Sequence, residues 1–357
     1  MMKKDEFAPS TSMRVGGQTL LLTVLLFAVI VLSTGLGYIK ISPFEVIRIV
    51  ISRISGNPGL LDGMDNVFPY VVAEVRLPRI LTSAVVGAGL SIAGVIFQGI
   101  LLNPLADPYT LGISAGAAFG ASIALLLDIT FLGIYSVPLF AFLGAVGTLL
   151  AVMFLSSFNG QTSSHSLILS GIIVAAILSA GISFFKYWAD EQVSIIIFWL
   201  MGSFGSKTWA DVFLTLMFVL IGFSICLFFA RDLNIMSLGD RSAGSLGIEA
   251  NKLRVILLIT ASLITAVCVS VSGIIGFVGL IIPHLMRFFV GPDNRRLIPA
   301  SALVGATLLL SADTITRAVL PREIPIGVLT AVIGGPFFCY IFKKKRIVKT
   351  GGEGGGV

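Results

Sequence analysis

The chain reads as a succession of uncharged apolar runs joined by short polar or turn-forming segments. Thr19 to Ile39, Ile80 to Ala106, Tyr109 to Leu127 and Val212 to Ala230 contain no Asp, Glu, Lys or Arg. About 20 such residues, each rising about 1.5 Å, cross a hydrocarbon layer roughly 30 Å thick, so each run predicts one membrane-spanning helix. Two other runs are too long for a single span. Ile129 to Phe185 is interrupted by Phe158-Asn159-Gly160-Gln161-Thr162-Ser163-Ser164-His165, which predicts a loop between two helices. Val255 to Met286 breaks at Ser272-Gly273 and Gly276 and supplies two more. Leu297 to Ala312 and Ile324 to Phe342 bring the expectation to ten spans. Val193 to Ser206 is half a span and predicts a re-entrant or interfacial helix. The expected fold class is all-α, a polytopic membrane protein.

Composition points the same way. Of 357 residues, 56% are hydrophobic and 12% charged, against about 25% charged in soluble domains. With ten crossings both termini share a side, and 15 of the 24 Lys and Arg fall on it. They run from Lys3, Lys4 and Arg14 through Arg231, Arg241, Lys252, Arg254, Arg287, Arg295 and Arg296 to Lys343, Lys344, Lys345, Arg346 and Lys349. Cytoplasmic loops carry such an excess, so both termini are expected in the cytoplasm. The net charge of +6 then reflects topology and anionic headgroups rather than nucleic acid. The first apolar run is too long for a secretory signal and lacks a small-x-small cleavage site. Residues 1–18 therefore read as a cytoplasmic segment, 19–342 as the transmembrane domain and 343–357 as a basic, then glycine-rich, cytoplasmic tail. Cys226, Cys268 and Cys339 stand singly inside predicted helices, without metal or redox spacing, and read as structural.

Helices in lipid associate largely through small residues that let backbones approach. Ser83, Gly87 and Ser91, then Gly112, Gly116 and Gly120, recur at every fourth position and predict such contacts. Lining of a wide solute path is the second reading. Ion-coupled carriers usually set a titratable group near the bilayer centre. Here the uncharged runs hold only His165, in a loop, and His284, between Pro283 and Arg287 near a helix end. Packing or capping is the first reading of His284 and a functional role the second. An ion-coupled secondary transporter remains the alternative class. The sequence shows no metal cluster, no nucleophile-base pair and no G-x-x-x-x-G-K-[ST] loop. No catalytic or metal-binding residue is expected, and ATP-driven transport would require ATP and Mg held by a separate subunit.

The charged edges carry the remaining signal. Arg76 and Arg79 flank Leu77-Pro78 three residues apart, on one face of a helix that starts there with Pro78 in its first turn. Arg317 lies at another helix end beyond Ala312-Asp313. Fixed guanidinium groups suit carboxylates of a docking protein, and equally Glu74 and Asp313 of this chain. On the other side, residues 231–253 are too polar to span, and Ser237 to Ile248 carries apolar residues that could seat a short amphipathic helix in a partner's groove or form an ordinary surface loop. Gly291-Pro292-Asp293-Asn294-Arg295-Arg296 reads as a tight turn with a basic anchor.

Taken together these segments resemble the FecCD-type permeases of ABC importers for iron-siderophore, haem and cobalamin. The resemblance runs from Arg76 to about Phe342. It rests on Arg76 to Arg79, Gln98 with Asn103 to Pro108, Leu111 to Gly116, Trp199 to Ser203, Ile275 to Leu280 with Pro283, His284 and Arg287, Ala312-Asp313 with Arg317, and Glu323 to Gly327 with Thr330-Ala331. It implies a cobalamin-importer-permease-like bundle in a bacterial inner membrane, paired with a second copy or a paralogous permease. It also implies two cytoplasmic ABC ATPases and a periplasmic or lipid-anchored substrate-binding protein. Arg76, Arg79 and Arg317 match the family's binding-protein docking sites. Gly239, Asp240, Arg241, Ala243, Leu246 and Gly247 match its ATPase-coupling segment, with Arg241 where an acidic residue is common and Gly244 where a longer side chain is usual. Asn103, Leu105, Thr162 and Ser163 correspond to the cytoplasmic gate of a cobalamin-importing relative.

Overall fold

The computed structural model describes residues 11–158, 161–320 and 323–351. The expected N-terminal segment is thus described from Thr11 and the tail as far as Gly351. Helix α1 (Thr11–Gly35) is followed by a short amphipathic helix, α2 (Pro43–Ser55). Then come α3 (Val67–Tyr70), a π turn (Val71–Arg76) and α4 (Leu77–Ile100), continuous as one 34-residue helix. Next are α5 (Ile113–Leu126), α6 (Ser136–Ser156), α7 (Ser164–Trp188) and the short α8 (Val193–Leu200). The second half holds α9 (Trp209–Phe228), α10 (Ala230–Met236), α11 (Asp240–Ser245), α12 (Ala250–Ser272), α13 (Val278–Val290), α14 (Asn294–Ala318) and α15 (Ile326–Gly351). A two-residue rung pairs Ser157 with Thr162 between α6 and α7, where the polar interruption predicts a loop.

Each of the ten expected spans holds one helix. Seven are long and apolar enough to cross a membrane, and Ile113–Leu126, Val278–Val290 and Ile326–Cys339 are shorter apolar helices. Val193 to Ser206 gives only the eight-residue α8, as half a span requires. The break in Val255 to Met286 falls where expected: α12 ends at Ser272 and α13 starts at Val278. Two expectations change. Pro78 does lie in the first turn of α4, but helical structure already runs into it from Val67 through α3 and the π turn, and the π turn precedes the proline, whose ring and missing N–H disturb the ladder. Gly112 lies outside α5 as its N-cap, in the left-handed region at φ 72°.

Burial divides the bundle into layers. The membrane-length window of α4 is 83% buried and that of α12 78%, whereas α1 is 11% and α7 28% buried, so α4 and α12 form the interior and α1 and α7 the outside of the chain. Helix α4 packs on α14, α12, α9 and α13, and its small residues explain how it accepts so many neighbours. At Gly94 a β-carbon would stand 1.9 Å from the carbonyl oxygen of Gly279 in α13. At Gly87 it would meet Gly305 O of α14 at 2.3 Å. The Gly116 and Gly120 stripe does the same against Gly144 and Phe140 of α6, which bears out helix packing for these residues.

The broken helix ends hold one another. Ser203 N–H donates to Ser272 O at 2.8 Å, Ile326 N–H to Gly202 O at 3.2 Å, and Gly327 N–H to Met201 O at 3.0 Å. Irregular backbone survives at membrane depth only where protein satisfies it, and here the ends of α8, α12 and α15 do so mutually. Trp199 to Ser203 and Glu323 to Gly327 thereby meet at the end of α12, where Ile274 and Ile275 pack beside Gly202.

Gly94→Leu is expected to prevent accumulation of folded protein, and Gly94→Ala to lower stability by about 1–3 kcal/mol through overpacking. Gly147→Ala, where nothing lies within 4 Å of the added carbon, is expected to leave the melting temperature in detergent unchanged. Equal melting of the Gly94→Ala and Gly147→Ala proteins would refute the contact.

Candidate functional site

Two polar clusters occupy opposite ends of α4. At its start, Arg76 closes the π turn and is only 6% exposed. Its Nη1 donates to the carbonyls of Thr34 at 2.8 Å and Gly35 at 3.2 Å, and its Nη2 donates to that of Ile39. Arg317, in the last turn of α14, donates to Ser33 O at 2.9 Å and Leu36 O at 2.7 Å. The last carbonyls of a helix lack intrahelical partners and favour positive charge. The two arginines therefore cap the C-terminus of α1 from two other helices. Gly37 passes between them, since a β-carbon there would lie 2.6 Å from Arg76 Nη2 and 3.0 Å from Arg317 Nη1.

Arg79 faces a different way. Its Nε and Nη2 grip Asp313 at 3.0 and 2.9 Å, and its Nη1 donates to Glu323 at 3.0 Å. Asp313 is 1% exposed, so this pair ties α4 to α14 inside the bundle while Glu323 faces outward. The intrachain partners offered by sequence spacing are thus redistributed. Asp313 pairs with Arg79 rather than Arg317, and Glu74 pairs with Arg53 of α2 at 2.9 Å rather than with Arg76. Neither α2 nor Glu323 was expected in this cluster.

At the far end of α4, residues of the expected coupling segment form α10 and α11. Gly239 precedes α11 at φ 99°, Asp240 opens it and Ala243 is buried beneath it, while Arg241, Gly244, Leu246 and Gly247 are exposed. Asp240 accepts from Arg254 Nη2 at 2.7 Å, and Arg254, near the start of the interior helix α12, has a side chain only 4% exposed. Asn234 of α10 donates to Asp293 at 2.7 Å and accepts from Asn294 N–H at 2.9 Å, which binds the segment to the N-terminus of α14. Arg295, with Asn234, holds the Asp293 carboxyl well below its usual range. The Gly291 to Arg296 turn is thus part of this cluster rather than a separate anchor.

The gate candidates adjoin it. Asn103 accepts from Leu105 N–H at 3.0 Å and lines a cavity of about 520 Å³ with Gln98, Asn234, His284 and Arg287. Leu105 is 43% exposed. Gln98 bridges, donating to Leu280 O at 3.2 Å and accepting from Arg287. Ser163 caps α7 by accepting from Ser166 N–H at 3.1 Å, and the adjacent Ser164 donates to Ile100 O at 3.0 Å, joining the two gate loops. Thr162 is placed by its backbone pairing with Ser157, and its side chain lies outside the described residues. His284 is 5% exposed, edge-on to Phe288.

Breaking the buried pair leaves one charge without its partner. Asp313→Ala is expected to destabilise the folded protein by about 3–5 kcal/mol. The Arg53→Gln change, which removes only an exposed bridge, is expected to cost less than about 1 kcal/mol. Thermal unfolding in one detergent compares the two, and similar losses would contradict the ranking.

Comparison with known proteins places this architecture. The profile described as the FecCD transport family matches residues 25–344. The chain is 40% identical over 326 residues to the Fe(3+)-citrate import system permease protein YfmE of Bacillus subtilis, covering 91% of this chain and 94% of that one. It is 40% identical to the cobalamin import system permease protein BtuC of Halobacterium salinarum, over 80% and 76% of the two chains. It is 39% identical to the molybdate import system permease protein MolB of Haemophilus influenzae, over 91% and 95%. A solved inward-facing ABC transporter assigned to the metal-chelate type superposes with a TM-score of 0.80 at 36% identity, covering 91% of this chain and 98% of that one. The chain belongs to the FecCD transport family, as a permease of the ABC-importer type.

Proposed function

We propose that this chain forms the membrane path of an ATP-driven importer for a bulky metal chelate or tetrapyrrole, an iron-siderophore, haem or cobalamin. In this reading it crosses a bacterial inner membrane ten times with both termini in the cytoplasm. It pairs with a second copy or a paralogous permease, with two ABC ATPases that hold ATP and Mg, and with a periplasmic or lipid-anchored binding protein.

The observation that carries this reading is α11. It is a six-residue helix with Leu238 and Leu246 exposed on either side of it at 66% and 63%, and it is fastened through Asp240 to an arginine of the most interior layer. Apolar side chains on a pinned, protruding helix suit a partner's groove. Movement of that partner would reach α12 through the Asp240–Arg254 pair and α14 through Asn234. Gly239, Arg241, Leu246 and Gly247 complete the contact, and the buried Ala243 seats the helix from beneath. Asn103 and Leu105, with Thr162 and Ser163 across the Ser164–Ile100 bond, are then the cytoplasmic gate that this movement opens.

At the other end the arginine cluster is the docking platform, with divided labour. Arg76, buried on α1 carbonyls, acts as a strut. Arg79 and Arg317 retain partly exposed edges for a carboxylate of the binding protein. Relatives of nearly equal identity carry iron citrate, cobalamin and molybdate in their names, which supports leaving the choice of cargo to the binding protein.

Proteoliposomes containing the chain, its ATPase and its binding protein are expected to accumulate one of these cargoes on ATP addition. The chain alone, under any imposed proton or sodium gradient, is expected to accumulate none. Uptake by the chain alone would overturn the proposal. Asp240→Ala is expected to lower the melting temperature, since it takes a carboxylate from the buried Arg254, and to reduce binding-protein-stimulated ATP hydrolysis severalfold in the assembled complex; full stimulation would remove α11 from the coupling path. Arg317→Gln is expected to weaken capture of the loaded binding protein about tenfold through one lost charge-assisted contact. Unaltered capture would move docking off this rim.

A further inference from the structure

Two cavities adjoin beside α2, at the end of the bundle opposite α11. One, about 730 Å³, is walled by Ser52, Asn66, Tyr70 and Glu74. The other, about 540 Å³, is almost wholly apolar and runs down between α1 and α9, past Phe27, Ile30, Val50, Leu81 and Phe213. Ile49, Arg53 and Ala73 line both. An arginine therefore stands where a polar chamber meets an apolar groove. Its side chain is 74% exposed and is held by Glu74 through Nη2 at 2.9 Å. Trp209 closes the groove at the same level, its Nε1 donating to Ala73 O at 3.0 Å. Tryptophan collects at the membrane-water boundary, which sets the chamber at headgroup depth and the groove beneath it.

The groove is continuous with an exposed apolar surface. Its wall α1 is 11% buried along its apolar window. Helix α2 carries a second apolar stripe, Phe44, Ile47, Ile51 and Ile54, all exposed at helical spacing, beside Arg48 and Arg53. A short helix of that design lies in the plane of the interface with its apolar face in the acyl region. The chain thus offers an apolar slot for a hydrocarbon tail, a guanidinium for a phosphate and a polar space for what the phosphate bears. We propose that this two-chambered site holds one phospholipid of the surrounding leaflet, with an acyl chain in the groove and its phosphate on Arg53.

Replacing Trp188 and Trp199 by Phe leaves Trp209 as the one fluorophore, since the chain has three tryptophans. The full chain in nanodiscs is titrated with phosphatidylglycerol brominated on its acyl chains. A specific site predicts quenching of Trp209 that saturates at low mole fraction, whereas bulk lipid gives quenching in proportion to mole fraction. In that background Ile30→Phe with Val50→Phe, which fill the groove, should abolish the saturable component. Arg53→Gln, at an exposed position that does not threaten the fold, should weaken it about five- to tenfold, and Arg53→Lys should restore most of it. Brominated diacylglycerol, which lacks the phosphate, should quench the parent and Arg53→Gln proteins alike. Strictly proportional quenching in the parent, undiminished binding in Arg53→Gln, or a saturable component that survives groove filling would each overturn the proposal.

Discussion

In hydrocarbon no water satisfies a stray N–H or C=O, and the architecture follows from how this chain meets that demand wherever a helix stops. Where α8, α12 and α15 break, their backbones bond to one another through Gly202, Ser272 and Gly327. Where α1 ends, the carbonyls of Ser33 to Leu36 receive guanidinium protons from Arg76 and Arg317. Both solutions join segments distant in sequence, so satisfying a helix end also fixes tertiary arrangement.

The same economy shapes the middle of the bundle. Helix α4 is the most buried because Gly87 and Gly94 let α14 and α13 approach to backbone contact. A packed hub of this kind passes displacement on rather than absorbing it, since close-packed interiors compress little. The polar clusters sit at its two ends, Arg79–Asp313 at one and Asn234, Asp293 and Arg287 at the other. Helix α12, which carries Arg254, packs directly on this hub.

Much of this was legible in the residues. Each expected span holds one helix, the polar interruption falls between α6 and α7, and the glycine stripes became contacts. Runs report length and solvation, which are local properties. What escaped was set by the third dimension. Helix α2 is amphipathic and only 13 residues long, so a search for uncharged spans passes over it. The arginines stand out, and spacing offers Glu74 and Asp313 as intrachain partners, yet Arg76 and Arg317 end on backbone carbonyls instead. A side chain that ends on a backbone carbonyl of another helix leaves no trace in sequence spacing. Arg254 could have been flagged as a charge at the start of an interior helix, yet its partner Asp240 lies fourteen residues away across a loop.

The double cap on α1 also bears on how the chain is made. Helix α1 leaves the ribosome first, but Arg317 lies 281 residues beyond the Leu36 carbonyl it serves. Until α14 has entered the bilayer, the end of the first helix is only half capped. A segment synthesised late therefore locks one synthesised early, and a chain that stops short of Arg317 leaves the Ser33 and Leu36 carbonyls without that cap.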